Sequence, residues 1–196
     1  MNVAQKNDAC TGCGVCAAVC PSVAVKMQPD AHGFVRPVVD DAACTDCGLC
    51  TRKCPVSVLP QTSAHTEVLT GYAEDGMLLP RSSSGAIFPV LAAEIIRRGG
   101  LVFGAAFDGQ FHVIHTAAES VEELSALCSS KYVQGRIPSD CYSQVKAALA
   151  VGRWVYFSGL PCQVAALKSY LGRDYETLIT QNTACHSVPS PLVWDE

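Results

Sequence analysis

Two copies of one cysteine pattern constrain this 196-residue chain more than any other feature of it. The first copy is Cys10, Cys13, Cys16 and Cys20-Pro21; the second is Cys44, Cys47, Cys50 and Cys54-Pro55. Each reads C-x2-C-x2-C-x3-C-P. Three thiols separated by two residues lie on one tight loop that wraps one face of a bound group. A fourth thiol has to come from another direction, and the proline terminates the short helix behind it. Gly12, Gly14 and Gly48 allow tight backbone curvature and close approach of amide protons to sulfur.

This is the run that ligates [4Fe–4S] clusters in two-cluster ferredoxins, where the fourth cysteine of each run serves the other cluster. The expected ligand sets are Cys10, Cys13, Cys16 and Cys54 for one cluster, and Cys44, Cys47, Cys50 and Cys20 for the other. Two other readings compete. Eight cysteines could pair as disulfides, but no secretion signal accompanies them. Four cysteines can bind zinc, but zinc sites pair two C-x2-C knuckles rather than two four-cysteine runs ending in C-P. A module with so little apolar core draws much of its folding energy from its metal.

Composition narrows the function classes. The formal net charge is −4, charged residues make up 16% and apolar ones 49%. That excludes a disordered acidic segment and a basic nucleic-acid binder. No apolar run reaches the ~18 residues of a membrane span. The N-terminus, MNVAQKNDAC, has no apolar signal segment, so a cytoplasmic location is expected.

Between the cysteine runs, Ala24 to Met27 and Phe34 to Val39 flank a Pro29 to Gly33 turn and predict a short hairpin. A connector follows, with Ser57, Pro60, Ser63 and Pro80 and a short apolar piece from Val68 to Ala73. Ser82-Ser83-Ser84-Gly85 is expected to cap a helix from Ala86 to Arg98, with Ile87, Val90, Leu91 and Ile95 on one apolar face and Gly99-Gly100 at its end. Leu101 to Phe107 and Phe111 to Thr116 read as strands joined at Asp108-Gly109. Ser120, with Glu123, caps a helix over Val121 to Leu127. A helix from Ser139 or Asp140 to Val151, a strand from Trp154 to Phe157, a helix from Pro161 to Leu171 and a strand from Leu178 to Gln181 complete the pattern. The fold class is therefore α+β. A bacterial-type 2[4Fe–4S] ferredoxin-like module spans 1–60, a connector 61–81, and an α/β domain with a mixed sheet 82–196.

Several residues of the second domain could carry chemistry. Ser83, Ser84 and Gly85 offer hydroxyls and free amides at a helix start, where an anion binds well; ordinary capping would use one serine. Gly159, Leu160, Pro161, Cys162 and Gln163 turn from a strand end into a helix, the edge where ligands collect in open α/β sheets. Cys162 there would have a lowered thiol pKa if it is not simply a buried structural cysteine. Lys131 and Tyr132 suit a phosphate or isoalloxazine contact, or a solvated surface. His186, beside Cys185, could relay a proton, or be a solvated histidine beside a small buried thiol. Cys128 and Cys141 read as small apolar groups, and these last four cysteines contain no C-x2-C element.

The chain resembles the coenzyme F420 hydrogenase/dehydrogenase beta subunit family. The resemblance rests on the doubled cysteine run together with Ser82 to Phe88, Gly99 to Phe107, Ser130 to Gln134, Ser158 to Gln163 and Cys185 to Pro191. It implies an iron–sulfur flavoprotein oxidoreductase, or its N-terminal part, that relays electrons between two [4Fe–4S] clusters and FAD for reduction or oxidation of an unidentified substrate, with an F420-like one among the candidates. FAD would lie near Ser83, Ser84, Gly85, Lys131, Tyr132, Gly159, Pro161, Cys162 and Gln163, with Cys162 and His186 as the catalytic candidates. Ala86 and Ser187 stand where the family usually has glycine. In the family a further C-terminal domain completes the flavin and substrate site; the 82–196 domain is expected to be incomplete at its C-terminus, either because the sequence is a fragment or because a separate chain completes the site. The expected partners are a redox protein or small electron carrier and a separate chain completing the flavin site, without nucleic acid. The alternative is an electron-transfer or adaptor subunit with two clusters and no flavin.

Overall fold

A computed structural model of the chain describes Val3, residues 9–57 and residues 67–195. The expected module boundary near residue 60, with Pro60 and Ser63, lies outside the described residues. The N-terminal region is built as two similar halves. Helix α1 (Val15–Ala18) follows the first three cysteines and α2 (Leu49–Arg52) occupies the same place in the second run, 34 positions on. Each begins after a glycine in the left-handed region, Gly14 at φ 76 and Gly48 at φ 67, where a Cβ would be strained. Between them β1 (Val25–Pro29) and β2 (Val35–Val39) pair antiparallel, with Val25 opposite Val39. The turn is fixed by Asp30, whose carboxylate accepts from the His32 and Phe34 amides and from Arg36 Nε.

The C-terminal region is an α/β domain on a four-stranded mixed sheet. Its strands are β3 (Leu101–Phe107), β4 (Val113–Ala118), β5 (Val155–Gly159) and β6 (Leu178–Asn182), in the order β4-β3-β5-β6. The β3–β4 pair is antiparallel, and β3–β5 and β5–β6 are parallel. Helices α3 (Ile87–Arg97) and α4 (Val121–Leu127) cover one face around Val102, Ala106 and Tyr156. Helices α5 (Cys141–Ala150) and α6 (Pro161–Leu171) cover the other around Phe103, Val155 and Phe157. A short helix α7 (Pro191–Asp195) follows a loop. Apolar side chains on both faces of β3 and β5 suit a sheet covered by helices on each side. The second face is not closed by helices alone. Cys13 and Val15 of the first run belong to the same core cluster, and α1 packs against α5 and α6.

Three local expectations are corrected. The serines do not cap α3. Its N-cap is Ala86, left-handed at φ 61 and without a side-chain cap. Gly85 lies against Gly71 and Tyr72, where a Cβ would come within 2.5 Å of the Gly71 carbonyl oxygen, and its own carbonyl accepts from the Ala73 amide. The close approach of the 71–73 segment, not capping, sets the geometry here. Second, Ile87, Val90 and Leu91 are 44%, 43% and 44% exposed; α3 buries Pro89, Ala92 and Ile95 instead. Small residues on that side let the helix approach the sheet closely, turning the larger side chains outward. Third, the return strand begins at Val113 rather than Phe111, because Phe111 occupies a left-handed turn position at φ 62. The capping box of α4 forms as expected, with Glu123 N–H donating to Ser120 Oγ and Ser120 N–H to Glu123 Oε2.

Candidate functional site

All twelve cysteines are free thiols, so the disulfide reading does not describe this fold. The second run frames a small cavity whose lining includes Cys44, Cys47 and Cys50 together with Cys20 from the first run. Val25, Val39 and Gly48 form part of its wall. Hydrogen bonds from Ser22 and the backbone at Ala24 and Val25 outweigh burial at Cys20 and lower its thiol pKa. The first run is more deeply set, with Cys13 and Cys16 only 8% and 5% exposed. Burial, and then the neighbouring thiols of Cys10 and Cys54, push Cys13 up to about 11; burial with Cys13, Cys10 and Cys54 pushes Cys16 to about 12. Cys54 of the second run is thus an electrostatic neighbour of the first.

This donor set fits an iron–sulfur cluster. Buried thiols that raise one another's pKa ionise only beside a strong positive charge, and a coordinated thiol is deprotonated outright. The Gly12 N–H donates to Cys10 Sγ at 3.4 Å, an amide-to-sulfur contact of the kind that stabilises clusters. Among the described residues, no three His, Cys, Asp or Glu side chains are drawn together as ligands of a single ion.

The first run, and the end of the second that carries Cys54, are fastened to the α/β domain at several points. Tyr142, fully buried on α5, donates from its hydroxyl to the Cys13 carbonyl at 2.6 Å. Gln134 accepts from the Val35 amide at 2.7 Å, and its amide nitrogen sits where a Cβ on Gly12 would be 2.4 Å away. Beside Cys54, Lys53 Nζ donates to the Ser169 carbonyl at 2.6 Å and Ser169 Oγ donates to the Lys53 carbonyl at 2.8 Å. Thr11 sits beside the thiols of both Cys13 and Cys162 and acts to lower their pKa. Sequence reasoning missed Tyr142, Gln134, Thr11 and Ser169, because only the fold brings them to the cysteines.

The residues expected around a flavin fall into two groups. The serine segment meets the loop after α4: Ser130 N–H donates to Ser83 Oγ at 2.7 Å, and Ser129 Oγ donates to the Arg81 carbonyl at 3.1 Å. Lys131 belongs to this group, but its ammonium donates to the carbonyls of Ala126, Cys128 and Ser129. It closes the C-terminal end of α4, where a cation is favoured. Burial lowers its pKa. Tyr132 is exposed. The second group is the Gly159 to Gln163 turn. Pro161 opens α6, and Gln163 Oε1 accepts from the Leu160 amide at 2.8 Å. Among the described residues no hydrogen bond joins this turn to Ser83, Ser84, Gly85 or Lys131. It faces Thr11 of the first run instead.

Cys162 departs from expectation as well. Its pKa is raised, by burial first and by the nearby Cys185 thiol, although Thr11 acts in the opposite sense. Burial outweighs its place at a helix start. Cys185 and His186 are exposed on the loop after β6, while Cys141 is a core residue and Cys128 is half-buried. The Cys162–Cys185 proximity follows from strand register. Gly159 pairs with Asn182, and each cysteine lies three residues beyond.

Residues 9–58 match the family of the 4Fe-4S dicluster domain. The chain therefore joins an iron–sulfur region to a mixed-sheet α/β domain. A chain of the F420-reducing [NiFe] hydrogenase complex from Methanosarcina barkeri shares the fold, with a TM-score of 0.50 at 19% identity. The similarity covers 63% of this chain and 45% of that one, so the match spans less than half of the relative. No curated protein matches the chain. No helix among the described residues is long and apolar enough to cross a membrane.

Proposed function

We propose that the chain is an electron-transfer module of a redox enzyme complex, carrying two cross-ligated [4Fe–4S] clusters. Cys10, Cys13, Cys16 and Cys54 would hold one, and Cys44, Cys47, Cys50 and Cys20 the other. The observation that carries this reading is Cys20 lining one cavity with the first three cysteines of the second run. When bound, such clusters supply one-electron exchange at each centre. The chain's own residues supply the asymmetry. Cys13, Cys16 and Val15 exclude water at the first set, whereas Cys47 is exposed at the second. The exposed set is the side for an external redox partner, protein or small carrier. The buried set abuts Thr11 and Cys162 at the C-terminal edge of the sheet, the side for delivery.

Anaerobically purified protein should contain about eight irons and eight inorganic sulfides per chain. Stoichiometric zinc with little sulfide would contradict the assignment. A flavin-dependent oxidoreductase is the second reading, favoured by one observation: Ser83 and Ser130 bring the serine segment to the loop that carries Lys131 and Tyr132. Identification of FAD in the acid-precipitated supernatant would support it, and its absence would leave electron transfer alone.

A further inference from the structure

We propose that Tyr142 is a positioning residue for the first cysteine run alone, so that the α/β domain tunes one cluster and leaves the other to its own run. The inference rests on reading both runs as cluster ligands. Cys13 and Cys47 are counterparts, the second cysteine of each run, and both backbone carbonyls accept a side-chain hydrogen bond. At Cys47 the donor is Arg52 Nη1, five residues on, at 3.0 Å and exposed. At Cys13 it is the Tyr142 hydroxyl, 129 residues on, at 2.6 Å and buried. The residue equivalent to Arg52 in the first run is Ala18, which has no donor.

The first run therefore takes from another part of the fold what the second supplies locally. The Tyr142 ring is fully buried in the main core and stacks on Tyr170 at 5.5 Å, so its hydroxyl has little freedom to leave the carbonyl. Outer partners that hold a ligating residue orient it and tune the metal. Cluster potentials respond to hydrogen bonding, charge and solvent exposure. A donor on the Cys13 carbonyl withdraws negative charge beside the ligand and so favours the reduced, more negative cluster. Arg52 acts in the same sense, but water competes for an exposed contact.

The test is a redox titration of the whole, cluster-loaded chain, followed by electron paramagnetic resonance, with Tyr142→Phe and Arg52→Gln compared with the parent. Tyr142→Phe keeps the ring and removes the donor. In one cluster signal only, the reduced-to-oxidised ratio at fixed potential should fall about threefold, a fraction of a typical hydrogen-bond free energy. Arg52→Gln should move the other signal, by less. Equal shifts of both signals in Tyr142→Phe, no shift in that variant, or movement of the same signal by both variants would overturn the inference. Should Tyr142→Phe fail to fold, Tyr170→Leu, which removes the ring stacked on Tyr142, takes its place and should move the same single signal; no shift, or equal shifts of both, would overturn the inference. Iron and sulfide well below eight in the parent would instead defeat the cluster reading itself, a separate outcome.

Discussion

The two cysteine runs share one spacing yet live in different surroundings. The first contributes Cys13 and Val15 to the main core and is held by Tyr142 and Gln134, while α6 touches both runs, meeting the second through Lys53 and Ser169. In the second, α2 has no buried residue and Cys47 is open to solvent. Their backbones are alike: Gly12 and its counterpart Asp46 both have positive φ, at 72 and 50. Only the first is forced to be glycine by its neighbours. A Cβ on Gly12 would lie 2.4 Å from Gln134 Nε2 and 2.7 Å from the Val35 carbonyl oxygen, whereas Asp46 carries a side chain in the open. The same ligand loop can thus be an inner or an outer element, and what decides is the residues around it rather than the cysteines.

The largest effect that could break this comparison is at the fourth cysteines. Cys20→Ser should remove the outer cluster, about four irons, and leave the inner one; Cys54→Ser should do the reverse. Iron analysis combined with electron paramagnetic resonance distinguishes these outcomes. Loss of the inner signal on Cys20→Ser would mean that each run serves its own cluster. Next come the paired backbone positions. Gly12→Ala combines a left-handed residue with overpacking and should cost roughly 2–4 kcal/mol. Asp46→Gly relieves the same conformation in the open and should stay within about 1 kcal/mol of the parent. Chemical denaturation of the two variants measures the contrast, and similar costs would erase it.

A comparable but pH-confined effect belongs to His115, buried on the inner side. It stacks on Phe157 at 5.3 Å, and its Nε2 lies 3.1 Å from the Ser158 carbonyl oxygen. Burial lowers its pKa to about 4 from an ordinary 6.5. The folded state therefore binds its proton less readily than the unfolded one. The His115 contribution is fully present above pH 6.5 and is lost as pH falls towards 4, by up to about 3 kcal/mol. His115→Gln should flatten this part of the stability–pH curve. A curve unchanged by that substitution would show that His115 is not the group responsible.

Much of this was legible in the sequence, for identifiable reasons. The cysteine runs announce themselves by spacing. The β1–β2 hairpin, the β3–β4 pair and the α4 cap follow from local turn and capping chemistry, which needs no tertiary information. What escaped depended on packing. Whether Ile87, Val90 and Leu91 or the smaller Pro89 and Ala92 face the sheet is settled by how closely α3 approaches it. Whether Lys131 meets a ligand or the end of α4 depends on carbonyls two to five residues back. Cys162 at a helix start suggested a lowered pKa, but its burial was not visible. The sequence also carries one signal of packing. Aligning the two runs sets Gly12 against Asp46 and Ala18 against Arg52, small residues against large polar ones, which marks the first run as the packed one.

The most direct test of the account is iron release from the anaerobic, cluster-loaded protein under an excess of chelator. An inner and an outer site predict two phases of equal amplitude, about four irons each. The fast phase should be the one abolished by Cys20→Ser and the slow phase the one abolished by Cys54→Ser. A single phase releasing all the iron, or a fast phase abolished by Cys54→Ser, would contradict it.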